Sequence, residues 1–258
     1  MRVLITGGAG FIGHHFCEHL LRNTDWEIVS LDRLDTSGNL NRLADLPIWQ
    51  QERRRVRIVF HDLKAAINGQ LSKQIGRVDY VLHLAAASHV DRSIEDPVSF
   101  VMDNVLGTAH LLEWARRQDG LRRLIYFSTD EVFGPAPSGV FYKEWDRYKS
   151  GNPYAATKAG AEELCVAYEN TYKMPILVTL TMNCVGERQS PEKFVPSTMR
   201  KVLSGDPVLI HADPTCTKPG SRFYIHARNV ADATLFVLAY GEPGEKYNIV
   251  GEREISNL

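Results

Sequence analysis

The sequence has 258 residues, enough for one domain with a large hydrophobic core and part of a second domain. Hydrophobic residues make up 44% and charged residues 24% of it, a balance typical of globular proteins that excludes a disordered or fibrous chain. The 30 basic and 31 acidic residues leave a net charge of −1, so no overall field would attract a nucleic acid or an anionic membrane. We therefore expect no nucleic-acid partner and no membrane partner, and any bound anion must be held by a local site.

Short apolar runs alternate with longer amphipathic ones over the first two thirds of the chain, which predicts a parallel sheet covered by helices. Strands are predicted over residues 2–6, 27–31, 56–60, 80–84, 124–128 and 176–180. Helices are predicted over residues 12–22, 98–117 and 154–172, with a returning helix near 230–240. Between residues 191 and 219 the sequence predicts proline-containing loops.

The four cysteines lie far apart and form no Cys-x-x-Cys pair, so neither a disulfide framework nor a metal site is predicted. Reduced thiols are typical of the cytosol, and we expect a cytoplasmic protein. No apolar run approaches the roughly 20 residues that a membrane span requires. The first predicted strand follows Met1 directly, so no signal peptide is expected.

A glycine-rich turn over residues 7–13 follows the first predicted strand and opens the first predicted helix. Gly7 and Gly10 permit a tight turn that approaches a pyrophosphate, and Gly13 permits close packing of helix and strand. The free N–H groups at the helix start, where Phe11 and Ile12 lie, would stabilise the phosphate charge. The pattern therefore predicts a dinucleotide site.

Acidic and small residues follow the next strands at the same predicted edge of the sheet. Asp32 ends the second strand, where its carboxylate would bind the adenosine ribose and favour NAD over NADP, although Arg33 beside it opposes that preference. Asp62 and Leu63 follow the third strand, and the fourth ends in Leu84-Ala85-Ala86. Asp62 has two interpretations, an acceptor for the adenine amino group or a helix cap.

These elements predict an α/β fold, a Rossmann-like doubly wound parallel sheet with a small substrate lobe that is shortened at its C-terminal end. We assign residues 1–182 and about 223–241 to an NAD-binding Rossmann domain. Residues 183–222 and 242–258 are assigned to the substrate-binding lobe.

Tyr154 and Lys158 lie four residues apart and therefore on one face of a predicted helix. A nearby fixed positive charge, helped by that of the cofactor, would lower the tyrosine pKa from about 10 and make the phenol a base. Thr129, Asp130 and Glu131 leave the fifth strand at the cofactor edge. Two adjacent carboxyl groups suggest an acid and a base for an elimination, or alternatively the cap of a turn.

Several motifs together resemble the extended short-chain dehydrogenase/reductase family, which comprises NAD-dependent epimerases and dehydratases. They are Gly7-x-x-Gly10-x-x-Gly13, His83-Leu84-Ala85-Ala86, Ser88-His89-Val90-Asp91-Arg92-Ser93-Ile94, Thr129-Asp130-Glu131-Val132-Phe133-Gly134 and Tyr154-x-x-x-Lys158. The resemblance runs from Met1 to about Gly251. Within the family the Thr-Asp-Glu step is most similar to that of nucleotide-sugar 4,6-dehydratases, in particular those acting on dTDP-glucose.

The resemblance implies a lyase with NAD as cofactor that converts a nucleotide-diphosphate hexose, dTDP-glucose or a UDP-glucose-like sugar, to its 4-keto-6-deoxy form. Tyr154, held by Lys158 and aided by Thr129, would take the O4 proton while the C4 hydride passes to NAD⁺. Glu131 would take the C5 proton, Asp130 would protonate the departing C6 hydroxyl, and hydride would return to C6. Deoxysugar biosynthesis is the expected role.

The resemblance also implies contacts to the substrate from Ser88, Thr129, Asn183, Lys193 and Arg222, and a homodimer formed through the two long helices. The planar fork of Arg222 suits a diphosphate. Ala87 stands where the family commonly has a glutamate, which removes a polar group beside the sugar. Family members generally continue for several tens of residues beyond the point matching Gly251, so we expect the missing part in the substrate lobe.

Two other functions stay open at this point. The same scaffold supports a 4-epimerase or a decarboxylase, in which the two acids only position the substrate. A non-catalytic NAD-binding protein is the other alternative, although such a protein has no physical use for Tyr154, Lys158, Thr129, Asp130 and Glu131 together. The sugar, the nucleotide base and the pathway are not specified by the sequence.

Overall fold

The computed structural model describes residues 1–35, 37–137, 139–213 and 215–258. Its strands are β1 (Arg2–Thr6), β2 (Glu27–Asp32), β3 (Val56–Phe60), β4 (Tyr80–His83), β5 (Arg123–Thr129), β6 (Ile176–Thr181), β7 (Cys184–Val185), β8 (Ser221–Phe223), β9 (Ile225–His226), β10 (Lys246–Ile249) and β11 (Glu254–Ser256). Seven of them form one parallel sheet in the order β10-β6-β5-β4-β1-β2-β3. The predicted Rossmann-like doubly wound parallel sheet is confirmed.

The α-helices are α1 (Phe11–Asn23), α2 (Asn41–Ala44), α3 (Trp49–Glu52), α4 (Gly69–Ile75), α5 (Val90–Glu95), α6 (Pro97–Phe100), α7 (Gly107–Ala115), α8 (Pro153–Tyr172), α9 (Phe194–Ser204) and α10 (Ala227–Tyr240). Residues Arg53–Arg55 and Asp130–Phe133 form 3₁₀ turns, and Val101–Leu106 forms a π-helical segment between α6 and α7. The single helix predicted over 98–117 is therefore built from three consecutive helical segments.

Hydrophobic side chains alternate between the two faces of the sheet, because successive residues of a strand point to opposite sides. Leu4 packs on one face in a cluster with Tyr126. Ile5 packs on the other face with Phe16 of α1 and Val230 of α10. Both faces are covered by helices, as the continuous apolar runs of the strands predict.

The strand order reverses direction between β1 and β4, which lie side by side although β2 and β3 come between them in sequence. Their last residues, Thr6 and His83, are in register. Ligands of open α/β sheets bind in the crevice outside the carboxyl ends of the strands at such a switch point. The glycine turn after β1 and the segment after β4 therefore meet at the position where a dinucleotide is expected.

The segment after β6 departs from the sequence analysis in two places. Residues 194–204, predicted as loop, form α9, because Pro196 lies in the first helical turn, where a missing N–H is tolerated. Residues 246–249, assigned to the substrate lobe, form β10 and pair with β6 at the edge of the main sheet. That assignment was wrong for β10 because its sequence, Lys-Tyr-Asn-Ile, carries no continuous apolar run.

The rest of this segment forms two small pairings. Strands β7 and β9 are parallel, and β8 and β11 are antiparallel. The wider division into two domains stays a prediction. None of the helices in the described part of the chain combines the length and the apolar composition that a membrane span requires.

Candidate active site

The glycine turn is folded tightly against the start of α1. Gly7 has a positive φ of 76°, and its carbonyl accepts from the N–H of Gly10 at 2.9 Å. A Cβ on Gly7 would lie 3.0 Å from the backbone of Ala85, and a Cβ on Gly13 would overlap the Gly7 carbonyl. The turn therefore requires glycine at these positions and brings the two predicted cofactor segments, after β1 and after β4, into contact.

The N-terminus of α1 suits the pyrophosphate of a dinucleotide. Its N-cap residue is Gly10, which has no side chain to accept from the first N–H groups, and its first turn carries no acidic residue. The N–H groups of Phe11 and Ile12 lie in that turn, where a helix attracts an anion. The donors present fit the group that the sequence predicts.

Asp32 ends β2 beside this turn and is 8% exposed. Its carboxylate accepts from the N–H of Ala9 at 3.1 Å and from the N–H of Leu34 at 2.8 Å. Burial raises the pKa of Asp32, although both backbone hydrogen bonds oppose the rise. The contacts place this carboxylate against the glycine turn, as expected for a group that binds the adenosine ribose.

Arg33, the residue that opposed a preference for NAD, is held by other carboxylates. Its guanidinium donates to Asp103 at 2.5 and 3.1 Å and to Asp35 at 2.5 Å, and it lies 3.7 Å from Asp62. A 2′-phosphate at this position would meet these three carboxylates and Asp32, against the positive charges of Arg33, Arg42 and Lys64. The charges near Asp32 therefore favour NAD.

The remaining predicted cofactor residues lie along the same edge of the sheet. Asp62 accepts from the N–H of Lys64 at 2.9 Å in a turn and caps no helix, since the next helix begins at Gly69. Its contact with adenine stays a prediction. Leu63 is buried in the core, where the Cβ of a residue at Gly107 would touch it. The N–H groups of Leu84 and Ala85 donate to Thr6, and Ala86 is half-buried beside them.

Tyr154 and Lys158 lie on α8, which packs against the end of β5. Both are buried, at 9% and 4% exposure. The Lys158 ammonium donates to the carbonyl of Phe127 at 2.7 Å and lies 4.2 Å from the centre of the Tyr126 ring. Burial lowers the pKa of Lys158 to about 8.

The pKa of Tyr154 shifts in the direction opposite to our expectation. Burial raises it and the Glu131 carboxylate raises it further, whereas a hydrogen bond from the Thr129 hydroxyl lowers it. The reason is that desolvation of the phenolate and the nearby carboxylates outweigh the effect of Thr129. The Lys158 ammonium is directed instead at the carbonyl of Phe127. Thr129 is thus the group that lowers the pKa of Tyr154, in line with the resemblance, which implies that the two residues act together.

Asp130 and Glu131 begin the 3₁₀ turn that follows Thr129. Burial raises the pKa of Asp130 to about 6, the Glu131 carboxylate adds to the rise, and Arg222 acts against it. The turn is capped by Thr129, whose hydroxyl accepts from the N–H of Glu131 at 3.3 Å. Because Thr129 caps this turn, the two acids are not needed as caps.

Two asparagines that the sequence analysis missed hold these segments in place. Asn152 caps α8 by accepting from the N–H of Ala155 at 2.8 Å, and its amide donates to the Glu131 carboxylate at 3.1 Å. Asn104 is 2% exposed and binds Ala87 through both its oxygen and its amide, at 2.8 and 3.1 Å. The signals were an Asn-Pro step before a helix and an amide within an apolar helical run.

The predicted substrate residues approach the same region from later in the chain. The Lys193 ammonium donates to the carbonyl of Ser88 at 3.1 Å, and the charge of Glu131 acts on it. Arg222 is exposed on β8 and close enough to Asp130 to influence its pKa. Asn183 stands between β6 and β7, and its carbonyl accepts from the N–H of Ile225 at 3.2 Å. Arg222 and Lys193 are thus each close enough to one acid of the Asp130–Glu131 pair for their charges to interact.

A surface cavity lies apart from this site. A cavity of about 840 Å³ is lined by α10, β10 and β11, and its described lining includes none of the predicted site residues. Within residues 1–35, 37–137, 139–213 and 215–258, no group of three or more His, Cys, Asp or Glu is arranged to hold a metal ion.

Comparisons with known proteins place this geometry among nucleotide-sugar enzymes. Residues 3–250 match the model of the NAD dependent epimerase/dehydratase family. Low-salt glycan biosynthesis protein Agl12 of Haloferax volcanii is 38% identical over 258 residues, which are all of this chain and 79% of that protein. The dTDP-glucose 4,6-dehydratase of Salmonella typhimurium is 35% identical over 275 aligned positions, covering all of this chain and 74% of that protein.

Solved structures give the same neighbourhood. The dTDP-glucose 4,6-dehydratase DesIV from Streptomyces venezuelae, crystallised with NAD bound, superposes with a TM-score of 0.89 at 37% identity, covering all of this chain and 78% of that one. The UDP-glucose 4-epimerase of Thermus thermophilus, in complex with NAD, gives a TM-score of 0.87 at 31% identity over all of this chain and 80% of that one.

Proposed function

We propose that this chain, which belongs to the NAD dependent epimerase/dehydratase family, is a nucleotide-sugar 4,6-dehydratase. Its cofactor is NAD, with which several solved relatives were crystallised. The family resemblance drawn from the motifs is confirmed by the family match. The observation that carries the proposal is the Asp130–Glu131 pair beside Tyr154. A reaction that removes water needs a proton handler at each end of the lost molecule, in addition to the base for hydride transfer.

Tyr154 is the base of the first step in this proposal and accepts the O4 proton of the sugar. Thr129 lowers the pKa of the phenol and so favours the phenolate, and the Lys158 ammonium one turn away on α8 adds positive charge to this face of the helix. The Gly7–Gly13 turn and Asp32 would hold NAD⁺, which would supply the acceptor for the C4 hydride, its return to C6 and a further positive charge. These favourable charges are needed because burial alone raises the pKa of Tyr154.

The elimination is assigned to the two acids of the 3₁₀ turn. A pKa of about 6 leaves Asp130 more readily protonated than an ordinary aspartic acid, which suits the group that donates to the departing C6 hydroxyl. Glu131, oriented by the amide of Asn152, takes the proton from C5, which the 4-keto group has acidified. A raised pKa at one of two neighbouring carboxyl groups is a common basis for the role of general acid.

Binding of the nucleotide diphosphate is assigned to Asn183, Lys193 and Arg222, with Ser88 and Thr129 facing the sugar. Lys193 and Arg222 supply two positive charges near the acid pair, and no global charge assists them. The dTDP-glucose and UDP-glucose named for relatives are the first candidate substrates. The product would be the 4-keto-6-deoxy sugar of the same nucleotide, a precursor for deoxysugar biosynthesis.

A 4-epimerase is the second candidate, since an epimerase structure superposes almost as well as the dehydratase does. The sequence signal that favours dehydration is the acid pair, for which an epimerase has no chemical requirement. Incubation of the NAD-loaded protein with dTDP-glucose, UDP-glucose, UDP-N-acetylglucosamine, CDP-glucose and GDP-mannose, followed by mass spectrometry, separates the two. We expect one of these sugars to lose the mass of one water; an isomer of unchanged mass would instead assign an epimerase.

We also propose a homodimer formed through the helical segments that precede and include α7. Val98, Ile94 and Val101 are 66%, 63% and 48% exposed on adjacent turns, and Met102 is exposed beside them. These exposed apolar side chains lie on α5, α6 and the π-helical segment, and such a patch is characteristic of an interface. Replacing Val101 by Asp should convert the dimer to a monomer in sedimentation equilibrium, whereas a parent chain that sediments as a monomer would refute the proposal.

A further inference from the structure

A buried polar cluster behind the active site has no part in the reaction proposed above. Glu162 on α8 is fully buried and lies 2.9 Å from the ammonium of Lys246, which is 3% exposed by its side chain. Glu162 also accepts from the Ser128 hydroxyl at 2.6 Å and from the hydroxyl of Tyr148. Lys246 in turn donates to Tyr148 at 2.6 Å. The cluster thus joins β5, α8, β10 and the segment before α8.

Stability alone is a poor explanation for this cluster. Taking a carboxylate and an ammonium out of water costs several kcal/mol for each ion, and apolar residues of similar volume often stabilise a protein more. The Lys246 ammonium also lies 4.3 Å from the ring of Trp145 and 4.8 Å from that of Tyr148, so its packing is specific. Such fully paired buried charges fix one arrangement of the elements that they join.

The elements that are joined here carry the active site. Glu162 follows Lys158 by one helical turn and Tyr154 by two, so that the three side chains share one face of α8. Ser128 directly precedes Thr129, which lowers the pKa of the Tyr154 phenol. The hydrogen bond between Ser128 and Glu162 therefore sets how the end of β5 meets the catalytic face of α8.

We propose that Glu162 is a positioning residue of the active site, which holds Thr129 in register with Tyr154 through Ser128 and places a negative charge, partly balanced by Lys246, beside the Lys158 ammonium. This inference deepens the proposed function and rests on it. Neither Glu162 nor Lys246 touches the cofactor turn or the predicted substrate residues, so both act through their neighbours.

Among the described residues around Lys158, Glu162 supplies the negative charge, because the other titratable groups there are neutral. His83 on β4 stays neutral, because burial lowers its pKa to about 3. Burial raises the pKa values of Tyr126 on β5 and of Tyr154 and Cys165 on α8, so these groups are neutral as well. The Glu162 charge opposes the loss of the Lys158 proton that burial favours.

The test is a direct titration of Lys158 by ¹³C NMR in the NAD-saturated protein labelled at the lysine ε-carbons, with the resonance assigned by its loss in Lys158→Met. We expect Glu162→Gln to lower the pKa of Lys158 by about one unit, the lower end of the range for a lost opposite charge. The control Glu163→Gln removes the same charge from the next residue of α8, which is exposed, and should leave the pKa of Lys158 unchanged. Equal titrations of Lys158 in these two variants would overturn the inference.

The double variant Glu162→Gln with Lys246→Met removes both charges of the pair and guards against an unfolded single variant, since neutral pairs are generally tolerated. We expect the pKa of Lys158 in the double variant to lie between its values in the parent and in Glu162→Gln. The reason is that the positive charge of Lys246, left unbalanced in Glu162→Gln, is also removed. If Glu162→Gln acted through a structural defect, the second substitution would add to it. A Lys158 pKa lower in the double variant than in Glu162→Gln would therefore contradict the proposal. Circular dichroism melts verify that each variant is folded.

Kinetics with the nucleotide sugar supply the second readout. Glu162→Gln should lower kcat about tenfold through the displaced base while KM for the sugar stays within about twofold, since no substrate contact is removed. The titration does not depend on turnover. A shifted Lys158 in a chain that converts no nucleotide sugar would overturn the proposed function and support the charge role, whereas turnover with an unshifted Lys158 would overturn the inference alone.

Discussion

The parallel sheet up to β6 and the segment that follows it are built in different ways. Every residue of β6 is buried, whereas every residue of β11 is exposed, and none of the described residues of α9 is buried. The sheet holds the cofactor turn between strands that pair in continuous register. The later segment reaches the active site through two- and three-residue strands and a few polar contacts, such as that of Lys193 with Ser88.

This difference indicates where rigidity is needed. Hydride transfer depends on the position of the cofactor within a fraction of an ångström, and a buried sheet supplies that precision. Sugar nucleotides vary, and a loosely packed segment that contributes Asn183, Lys193 and Arg222 allows recognition to change without disturbing the sheet. Substitutions in the sheet should therefore change the rate of the reaction and the stability of the protein. Substitutions in the later segment should change the affinity for the substrate.

The largest effect is expected at the base. Tyr154→Phe removes one oxygen and should lower kcat by about 10²–10⁴-fold while NAD affinity is kept, because the glycine turn and Asp32 are untouched. Turnover followed by mass spectrometry and NAD titration by calorimetry measure both quantities. Tyr172→Phe, exposed at the end of the same helix, is the matched control. A Tyr154→Phe protein as active as the parent would remove Tyr154 from the mechanism.

Stability should separate the two regions next. Leu180→Ala in the buried strand β6 should lower the free energy of unfolding by about 2–5 kcal/mol, since it leaves a cavity in the core. Val202→Ala in α9, where the side chain is 64% exposed, should change it by less than about 0.5 kcal/mol. Urea denaturation measures both. Equal losses would show that α9 is packed as firmly as the sheet.

Cofactor affinity tests the sheet region at its ligand. Asp32→Asn should weaken NAD binding by about 10- to 100-fold, because a charged acceptor for the ribose hydroxyls is lost, and should narrow the preference over NADP. Asp25→Asn, exposed just before β2, removes the same charge at a distance and should bind NAD as the parent does. Unaltered NAD affinity in Asp32→Asn would exclude the predicted ribose contact.

The smallest change is expected from a conservative substitution in the later segment. Arg222→Lys keeps the charge but loses the planar fork, and should raise KM for the nucleotide sugar about tenfold with NAD affinity unchanged. Initial rates over a range of sugar concentrations measure KM. If the substitution weakens NAD binding instead, Arg222 belongs to the cofactor site, and the division of roles between the two regions is wrong.

The sequence was informative for elements specified by their own residues. The first six strands are near-continuous apolar runs, and their bounds agree with the structure to within one residue at each end. The glycine turn was equally readable, because the positive φ of Gly7 and the close contacts of Gly13 demand glycine at those positions. The same holds for Tyr154 and Lys158, whose spacing alone places them on one face.

Residues specified by distant partners could not be read in this way. Strand β10 is defined by its pairing with β6. Its own sequence carries a lysine that is tolerable in a buried position because it pairs with Glu162 and contacts Tyr148 and Trp145. Asn104 and Asn152 act through Ala87 and Glu131, far from them in the chain. The pKa of Tyr154 was misjudged for the same reason, since burial depends on the whole fold.

The central claim is that the Asp130–Glu131 pair makes this site a dehydratase. Its most direct test compares the NAD-loaded parent with the Asp130→Asn, Glu131→Gln double variant on the nucleotide sugar that the parent converts, with both products analysed by mass spectrometry. We predict a parent product lighter by one water, and a variant that binds NAD and the sugar but forms this product at least about 10²-fold more slowly. A double variant that eliminates water at the rate of the parent would contradict the claim.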